Sequence, residues 1–355
     1  MTGTSGKSST VYLLCRVLEA AGHTVGTLST IEFCVAGGCK LNDKKMTMLG
    51  RTQIQKYLRQ MVRAGCEIAI IETTSEGYLQ HRHRFIEYDT IVLTNLYPEH
   101  IEAHGGFENY KAAKLGIFQY VAARRRKALQ DSRIEKIAIV NGESEHADEF
   151  LSFPFDKKIR FQPKDFPKRN DACVFSIAKT FGIADDVIKN TLASISGVPG
   201  RIEYIEEAKR HGFTMIVDYA FEPVAMNVLY EEVERLLPKR IIHVFGSTGG
   251  GRDRSRRFTI GKFVSDHATI CIVTDEDPYD DDPMEIIRDV ASVVTNPVVI
   301  PDRRKAIETA VSMAMPGDVV LITGKGSEQG MVVKGRMVPW DDRRVARDAL
   351  LKIYV

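Results

Sequence analysis

What this 355-residue chain lacks narrows its class before any motif is read. It has no excess of charge of one sign: 49 Lys and Arg against 47 Asp and Glu give a formal net charge of +2. There is therefore no polyanion-binding footprint, and no nucleic-acid partner is expected. The one basic run, Arg124-Arg125-Arg126-Lys127, reads as a solvated helix end. No signal peptide and no apolar run long enough to span a bilayer is visible, so a cytoplasmic location without a membrane partner is expected. The six cysteines, at positions 15, 34, 39, 66, 173 and 271, form no Cys-x-x-Cys pair. Several lie in apolar stretches and read as buried free thiols of a reducing compartment. Internal repeats and low-complexity segments are missing too. The 44% hydrophobic and 27% charged residues that remain are ordinary for a globular enzyme with room for two or three domains.

The chemistry-bearing stretch stands at the very start. Gly3-Thr4-Ser5-Gly6-Lys7-Ser8-Ser9-Thr10 opens into a helix with Val11, Leu14, Leu18 and Ala21 at helical spacing, and Gly22 ends it. Gly3 and Gly6 let backbone N–H groups approach phosphate oxygens with no Cβ in the way. The helix N-terminus adds partial positive charge, Lys7 a full one, and the Ser8 hydroxyl can ligate Mg²⁺. A lone G-x-x-G is more often a plain helix-capping turn, but Gly-Lys-Ser at the helix start favours a nucleoside triphosphate site. Such a loop normally follows a buried strand, and only Met1 and Thr2 precede Gly3. Either that strand is absent, which would leave the loop without its rigid base, or the chain begins inside a longer parent.

Downstream, strand and helix patterns alternate. Strands are expected at Thr24–Ile31, Glu67–Ile71, Thr90–Leu93 and Ile137–Val140, with a Gly/Asn/Asp-rich loop after Ile31. Residues 151–169, with Pro154, Pro163 and Pro167, read as a linker or a degraded element. A second α/β unit follows, with strands at Thr214–Val217, Ile241–Phe245, Thr269–Val273, Val298–Ile300 and Val319–Ile322. Helices are expected near 223–236, 284–294, 303–315 and 342–352. The fold class is thus α/β: a P-loop NTPase-like parallel-sheet domain over 1–200, then a Rossmann-like α/β domain over 201–355. In open parallel sheets ligands bind at the carboxyl ends of strands. Glu72, which follows Ile71 at such an end, is the best candidate for a second Mg²⁺ ligand, weighed evenly against a surface carboxylate. His100 and His104 lie four apart, which alone is weak evidence for a metal site.

Taken in order, these motifs resemble the Mur ligase superfamily, and within it the enzymes that add the third residue to a nucleotide-linked muropeptide. Gly3 through Ser8 is similar to the family loop Gly-Thr-Asn-Gly-Lys-Thr, and Glu72 through Gly77 to Glu-x-Ser-Ser. Thr94-Asn95-Leu96 through His100 and His104, and Tyr110 through Phe118, resemble the two family stretches that follow. Val198 through Glu203, Val217 through Ala220, Gly250 through Arg257, Gly324 through Glu328 and Asp341-Asp342-Arg343 complete a colinear series. The resemblance implies ATP-dependent amide formation through an acyl phosphate, with ATP and Mg²⁺ as cofactors and muropeptide and amino acid as small-molecule substrates, in a monomer. It implies ATP contacts from Gly3, Thr4, Ser5, Gly6, Lys7, Ser8, Ser9, Asn141, Arg201 and Asp218. Mg²⁺ would be held by Ser8, Glu72 and His100, with Lys114, carbamylated in the family, serving a second ion. Lys7, Glu72, His100 and Lys114 would carry the chemistry. Thr47, Ser75, Arg252, Asp277, Tyr279, Gly324 and Glu328 would meet the substrates.

The departures from the family pattern are specific. The domain that grips the UDP moiety is expected before the P-loop and is not in this sequence, and the middle domain reads as shortened between Phe153 and Asn170. Where diaminopimelate-adding members carry Asp-Asn-Pro-Arg, this chain has Glu276-Asp277-Pro278-Tyr279, then Asp280 to Asp282. Lysine or another cationic amine is then as plausible as diaminopimelate. Gly-Lys-Gly-His-Glu becomes Gly324-Lys325-Gly326-Ser327-Glu328, and the Thr-Thr-Pro substrate loop becomes Thr47-Met48-Leu49. The rival readings are another ligase of the superfamily, folylpolyglutamate- or cyanophycin-like, and an ATP-binding fragment without turnover.

Overall fold

The computed structural model describes residues 1–99, 104–129, 132–166 and 168–354. The chain divides into two compact units, Met1–Ser196 and Gly197–Val355, a division four residues before the expected boundary. No helix among the described residues is long and apolar enough to cross a membrane.

The first unit runs α1 (Lys7–Ala20), β1 (Val25–Leu28), β2 (Glu32–Val35), β3 (Gly38–Leu41), α2 (Arg51–Arg63), β4 (Ile68–Ile71), α3 (Ser75–Leu79), β5 (Thr90–Leu93) and α4 (Phe107–Ala123). A short ribbon, β6 (Ala128–Leu129) and β7 (Ser132–Arg133), precedes β8 (Ile137–Asn141), α5 (Ala147–Leu151), β9 (Lys157–Phe161), α6 (Arg169–Thr180) and α7 (Asp185–Ser194). The strands form one sheet ordered β3-β2-β1-β4 and another ordered β5-β8-β9. Between β4 and β5 lie Met1 and Thr2. The Met1 amine donates to Ile71 O (2.9 Å) and Thr73 N to Met1 O (2.7 Å), while Thr2 N donates to Val92 O (2.8 Å) and Thr94 N to Thr2 O (3.0 Å). These two residues therefore tie both sheets together directly beneath the glycine loop and give it a hydrogen-bonded base. Burial lowers the pKa of the Met1 amine to about 6, against the opposing pull of Glu72.

Three expectations are corrected here. The segment after Ile31 is a hairpin, because Ala36 and Gly37 both adopt positive φ (47° and 80°), the turn geometry that matches strand twist. Across it Cys34 and Cys39 are joined by a disulfide, so only Cys15, Cys66, Cys173 and Cys271 are free thiols. The stretch read as a linker contains β9, which pairs in parallel with β8 as an edge strand; its charges point outward, which hid the strand pattern. The basic run is a neutralised surface, with Arg124 over the Tyr120 ring, Arg126 paired to Asp156 and Lys127 to Asp89.

The second unit is a doubly wound sheet. Its strands are β10 (Glu203–Tyr204), β11 (Thr214–Val217), β12 (Ile241–Phe245), β13 (Ile270–Val273), β14 (Val298–Val299) and β15 (Val319–Ile322), in the order β10-β11-β15-β12-β13-β14. All neighbours are parallel except the β10–β11 pair. Side chains alternate between two separate cores, as a sheet covered on both faces requires. Met215, Val217, Ile242, Val244, Val320 and Ile322 pack with helices Arg303–Met313 and Asp342–Tyr354. Ile216, Phe245, Val273 and Leu321 pack with Pro223–Glu234, Ser255–His267 and Pro283–Ala291. The helix Ser255–His267 and a ribbon, β16 (Gly330–Val333) with β17 (Arg336–Pro339), were not anticipated from sequence.

Candidate active site

The glycine loop is held from beneath by β5 and α4. Asn95 Oδ1 accepts from Thr4 N (3.1 Å) and Ser5 N (2.8 Å), and its Nδ2 donates to Ser5 Oγ (3.0 Å). Thr94 Oγ1 donates to Ser5 O (2.6 Å), and Tyr110 OH donates to Thr4 Oγ1 (3.1 Å). A Cβ on Gly3, at φ +147°, would lie 1.9 Å from Thr94 Oγ1, so the close approach of loop to strand requires glycine. Gly6 caps α1 in the left-handed region, and its carbonyl receives both Thr10 N and the Thr10 hydroxyl. Lys7 Nζ donates to Gly3 O (3.0 Å) and Thr4 O (2.9 Å), and so lies over the concavity of the loop. Ser9 is buried in the first turn of the helix.

Ser8 Oγ lies 3.0 Å from each oxygen of Glu72, whose residue is only 1% exposed. Thr30 N donates to Glu72 Oε2 (2.9 Å), and Thr30 Oγ1 lies 3.1 Å from that oxygen and 3.0 Å from Thr47 Oγ1. A hydroxyl and a buried carboxylate are hard oxygen donors at the mouth of a phosphate loop, and this donor set fits Mg²⁺. His100 lies outside the described residues. Lys114 is buried and donates to Gly3 O (2.8 Å); burial and the neighbouring Lys7 hold its pKa well below the usual lysine range. Its amine is here a hydrogen-bond donor to that loop carbonyl. Asn141 spends its amide inside the fold, donating to Thr94 O (2.9 Å) and accepting from Glu143 N (2.9 Å). Ser75 Oγ lies 3.2 Å from His104 Nε2, whose ring packs edge-on to Tyr110. Burial, and next Lys114, lower the His104 pKa.

In the second unit the turn at Val198–Arg201 sits against the loop at Gly326. A Cβ on Gly200 would lie 2.0 Å from Ser327 N, and one on Gly326 would lie 2.6 Å from Gly200 O. The Arg201 guanidinium stacks over Tyr219 at 4.1 Å. Asp218 accepts from Ile202 N (2.7 Å) and Ala220 N (2.6 Å); burial raises its pKa, with Arg201 opposing. Tyr219 OH donates to Glu328 Oε1 (3.2 Å), and Lys325 bridges Glu328 and Asp277, the latter at 2.7 Å. Burial works against the Lys325 ammonium, but the Glu328 and Asp277 carboxylates outweigh it and its pKa is raised. Asp277 Oδ1 also takes Val332 N (2.8 Å). Tyr279, at φ +55°, lays its ring against Gly250, while Arg252 is exposed on the same loop. A Cβ on Gly324 would lie 2.2 Å from Glu276 Oε2, so Gly324 lets that carboxyl fill the space. Burial pushes the Glu276 pKa up to about 7, with Arg303 opposing and Asp277 adding.

Each unit thus gathers most of its expected residues: Gly3 through Ser8 with Glu72, Lys114 and Thr47 in one, and Arg201, Asp277 and Glu328 around Tyr219 and Lys325 in the other. Sequence reasoning passed over Thr30, Asn95, Tyr110 and Glu276 as site residues. Asn95 and Tyr110 lay inside motifs already noticed; Thr30 carried no signal at all.

Two family models match, the Mur ligase middle domain over residues 1–196 and the Mur ligase glutamate ligase domain over 200–326. A UDP-N-acetylmuramyl-tripeptide synthetase of Roseiflexus sp. is 31% identical over 99% of this chain and 78% of its own length. A UDP-N-acetylmuramoyl-L-alanyl-D-glutamate–2,6-diaminopimelate ligase of Solibacter usitatus is 30% identical over 99% of this chain and 76% of its own. Among solved structures, E. coli FolC in complex with ADP has the same fold, with a TM-score of 0.67 at 18% identity over 91% of this chain and 85% of that one. The chain therefore belongs to the Mur ligase family and is an ATP-dependent amide-bond ligase.

Proposed function

We propose that this ligase adds the third amino acid to a UDP-N-acetylmuramoyl-dipeptide in peptidoglycan precursor synthesis, and that the amino acid is a cationic one without a second carboxylate, such as lysine. The observation that carries the chemistry is the Ser8–Glu72 pair, at 3.0 Å to both carboxylate oxygens, beside a loop whose N–H groups Asn95 orients. The terminal carboxylate of the acceptor attacks the γ-phosphate of ATP, giving an acyl phosphate and ADP. The amine then attacks the acyl carbon, and phosphate leaves with the electron pair of the broken bond. Gly3 through Ser9 bind the triphosphate, and Lys7 neutralises charge spreading over the transferred phosphoryl group. Ser8 and Glu72, with His100, would hold Mg²⁺, which supplies further neutralisation of that charge. Lys114, buried against the loop with its pKa lowered, would take up CO₂ as a carbamate and so turn a donor into a carboxylate-like ligand. Arg201 and Asp218 would contact the nucleotide, and Thr47 and Ser75 the acceptor.

The choice of amine rests on Tyr279. Arginine at that position grips a carboxylate in the diaminopimelate-adding members; here a tyrosine ring rests on Gly250, and Asp280 to Asp282 follow. Glu328 and Asp277 supply negative charge, and Arg252 remains as an exposed cation on the adjoining loop.

The test is phosphate release from ATP and Mg²⁺ with UDP-N-acetylmuramoyl-dipeptide and lysine, ornithine or diaminopimelate in turn, with Lys7→Ala as control. Release that needs acceptor and lysine or ornithine, and vanishes in the control, is the expected result. Turnover with diaminopimelate alone would reject the amine assignment. Turnover only with an acceptor that is not UDP-linked would reject the muropeptide assignment in favour of another ligase of the superfamily.

A further inference from the structure

The β2–β3 hairpin holds two sulfurs in unlike surroundings. Cys34 and Cys39 are directly opposed across the ribbon, with Cα atoms 4.1 Å apart, and are joined. Cys34 is fully buried, whereas Cys39 is exposed. The two terminal guanidinium nitrogens of Arg16 lie 4.0 Å from Cys39 Sγ, and Arg16 is itself fixed by Glu19 (3.0 Å) and Glu32 (2.9 Å). A cation beside an accessible sulfur favours its thiolate, the form that attacks peroxides and disulfides.

We propose that Cys34 and Cys39 are a reversible thiol–disulfide site, with Cys39 the reactive sulfur and Cys34 its resolving partner, whose state sets the order of the segment that carries Thr47. With a hydroperoxide as oxidant, the Cys39 thiolate attacks the distal oxygen; the O–O bond breaks, the alcohol or water oxygen leaves, and Cys39 becomes a sulfenic acid. The Cys34 sulfur then attacks Cys39, the S–O bond breaks and water leaves, giving the disulfide. An external dithiol reverses the step by exchange and supplies the two electrons.

The link to Thr47 is structural. β3 is the edge strand of the four-stranded sheet, paired among the described residues to β2 alone, and three of its four residues are exposed, so little side-chain burial holds it in place beside the cross-link. It runs straight into Asn42, whose N donates to Ile31 O (2.9 Å) and whose Nδ2 donates to Ser29 O (2.9 Å) and Met46 O (3.0 Å). Asn42 thereby frames the loop that ends at Thr47. The effect on turnover rests on the reading of Thr47 as an acceptor contact, whereas the thiol chemistry and the change in order do not.

The full chain is titrated for thiols after denaturation, first reduced and then after hydrogen peroxide, and the linked peptides are identified by mass spectrometry. Six thiols falling to four, with Cys34 linked to Cys39, is the expected result. Amide exchange over residues 38–47 is expected to speed up in the reduced protein, with Cys39→Ser matching it in every condition. The KM for the muropeptide acceptor is expected to rise about threefold or more on reduction, with the KM for ATP unchanged. Six thiols after peroxide, a linkage between other cysteines, or exchange that ignores the redox state would each overturn the proposal. So would one Zn²⁺ retained by the reduced protein and lost in Cys34→Ser, since Glu32, Cys34 and Cys39 have ligand atoms within 4.8 Å of one another and would then be a metal site. A protein that turns over no acceptor rejects the functional reading alone; the thiol count and exchange rates still decide this one.

Discussion

Asn95 fixes the shape of the glycine loop, because one carboxamide oxygen accepts from two consecutive loop N–H groups. In Asn95→Ala those groups lose their acceptor and the loop its fixed shape, and the affinity for ATP is expected to fall about tenfold with the fold retained. Calorimetric titration beside circular dichroism checks this; a Kd within twofold of the parent would reject it. Glu276 bears on pH. In the unfolded chain its carboxyl titrates near the ordinary 4.5, and in the fold near about 7. Between those values the folded protein keeps a proton that the unfolded chain has released. The stability that this carboxyl contributes is therefore full below pH 4.5 and falls as the pH rises towards 7. Glu276→Gln is expected to abolish that fall, leaving the variant more stable at neutral pH by an amount on the order of 3 kcal/mol at most. Melting curves across that pH range decide it, and parallel curves for the two proteins would refute the assignment. Lys114 and Glu72 were legible because their motifs mark them. Thr30 and Glu276 were not, since what makes them matter is the neighbour that folding brings to them.

At the scale of elements, the strands that sequence revealed are those buried on both faces, where an apolar run is the whole signal: Ile241–Phe245 and Val319–Ile322 appear with their expected bounds. The elements that escaped are the ones whose pattern is diluted. β9 reads Lys-Lys-Ile-Arg-Phe because one face and one edge meet water. Ser255–His267 buries only Arg257, Ile260, Gly261 and Val264 and carries charge around the rest, so it resembles the polar loop before it. The β2–β3 hairpin turns on Ala36-Gly37, where asparagine-glycine would have announced it. Ala36 stands at φ 47°, a conformation costly for alanine and tolerated by asparagine. Ala36→Asn is accordingly expected to stabilise the first unit by about 0.5–1 kcal/mol, read as a higher denaturant midpoint at unchanged slope. A lower midpoint would contradict the turn geometry.

At the scale of the whole molecule, the clusters built on β11 to β15 are made, among the described residues, of residues after Gly197, and those around Phe33 and Phe118 of residues before it. A segment with two complete cores on a six-stranded sheet meets the requirements for independent folding. Residues 197–355 expressed alone are expected to melt in one cooperative transition; a broad, non-cooperative melt would show the cores to be insufficient. Within that unit, the contact between Gly200 and the Gly326–Ser327 backbone has a consequence for inheritance. Most crowded positions can be rescued, because a larger residue at one site is accommodated by a smaller one opposite. Here a side chain on Gly200 would strike a main-chain nitrogen, and one on Gly326 a main-chain oxygen, so neither neighbour has anything left to trim. A lineage that acquires alanine at Gly200 has no compensating step within this contact. A selection for revertants of that allele should return glycine at position 200 and no second-site change at 326 or 327.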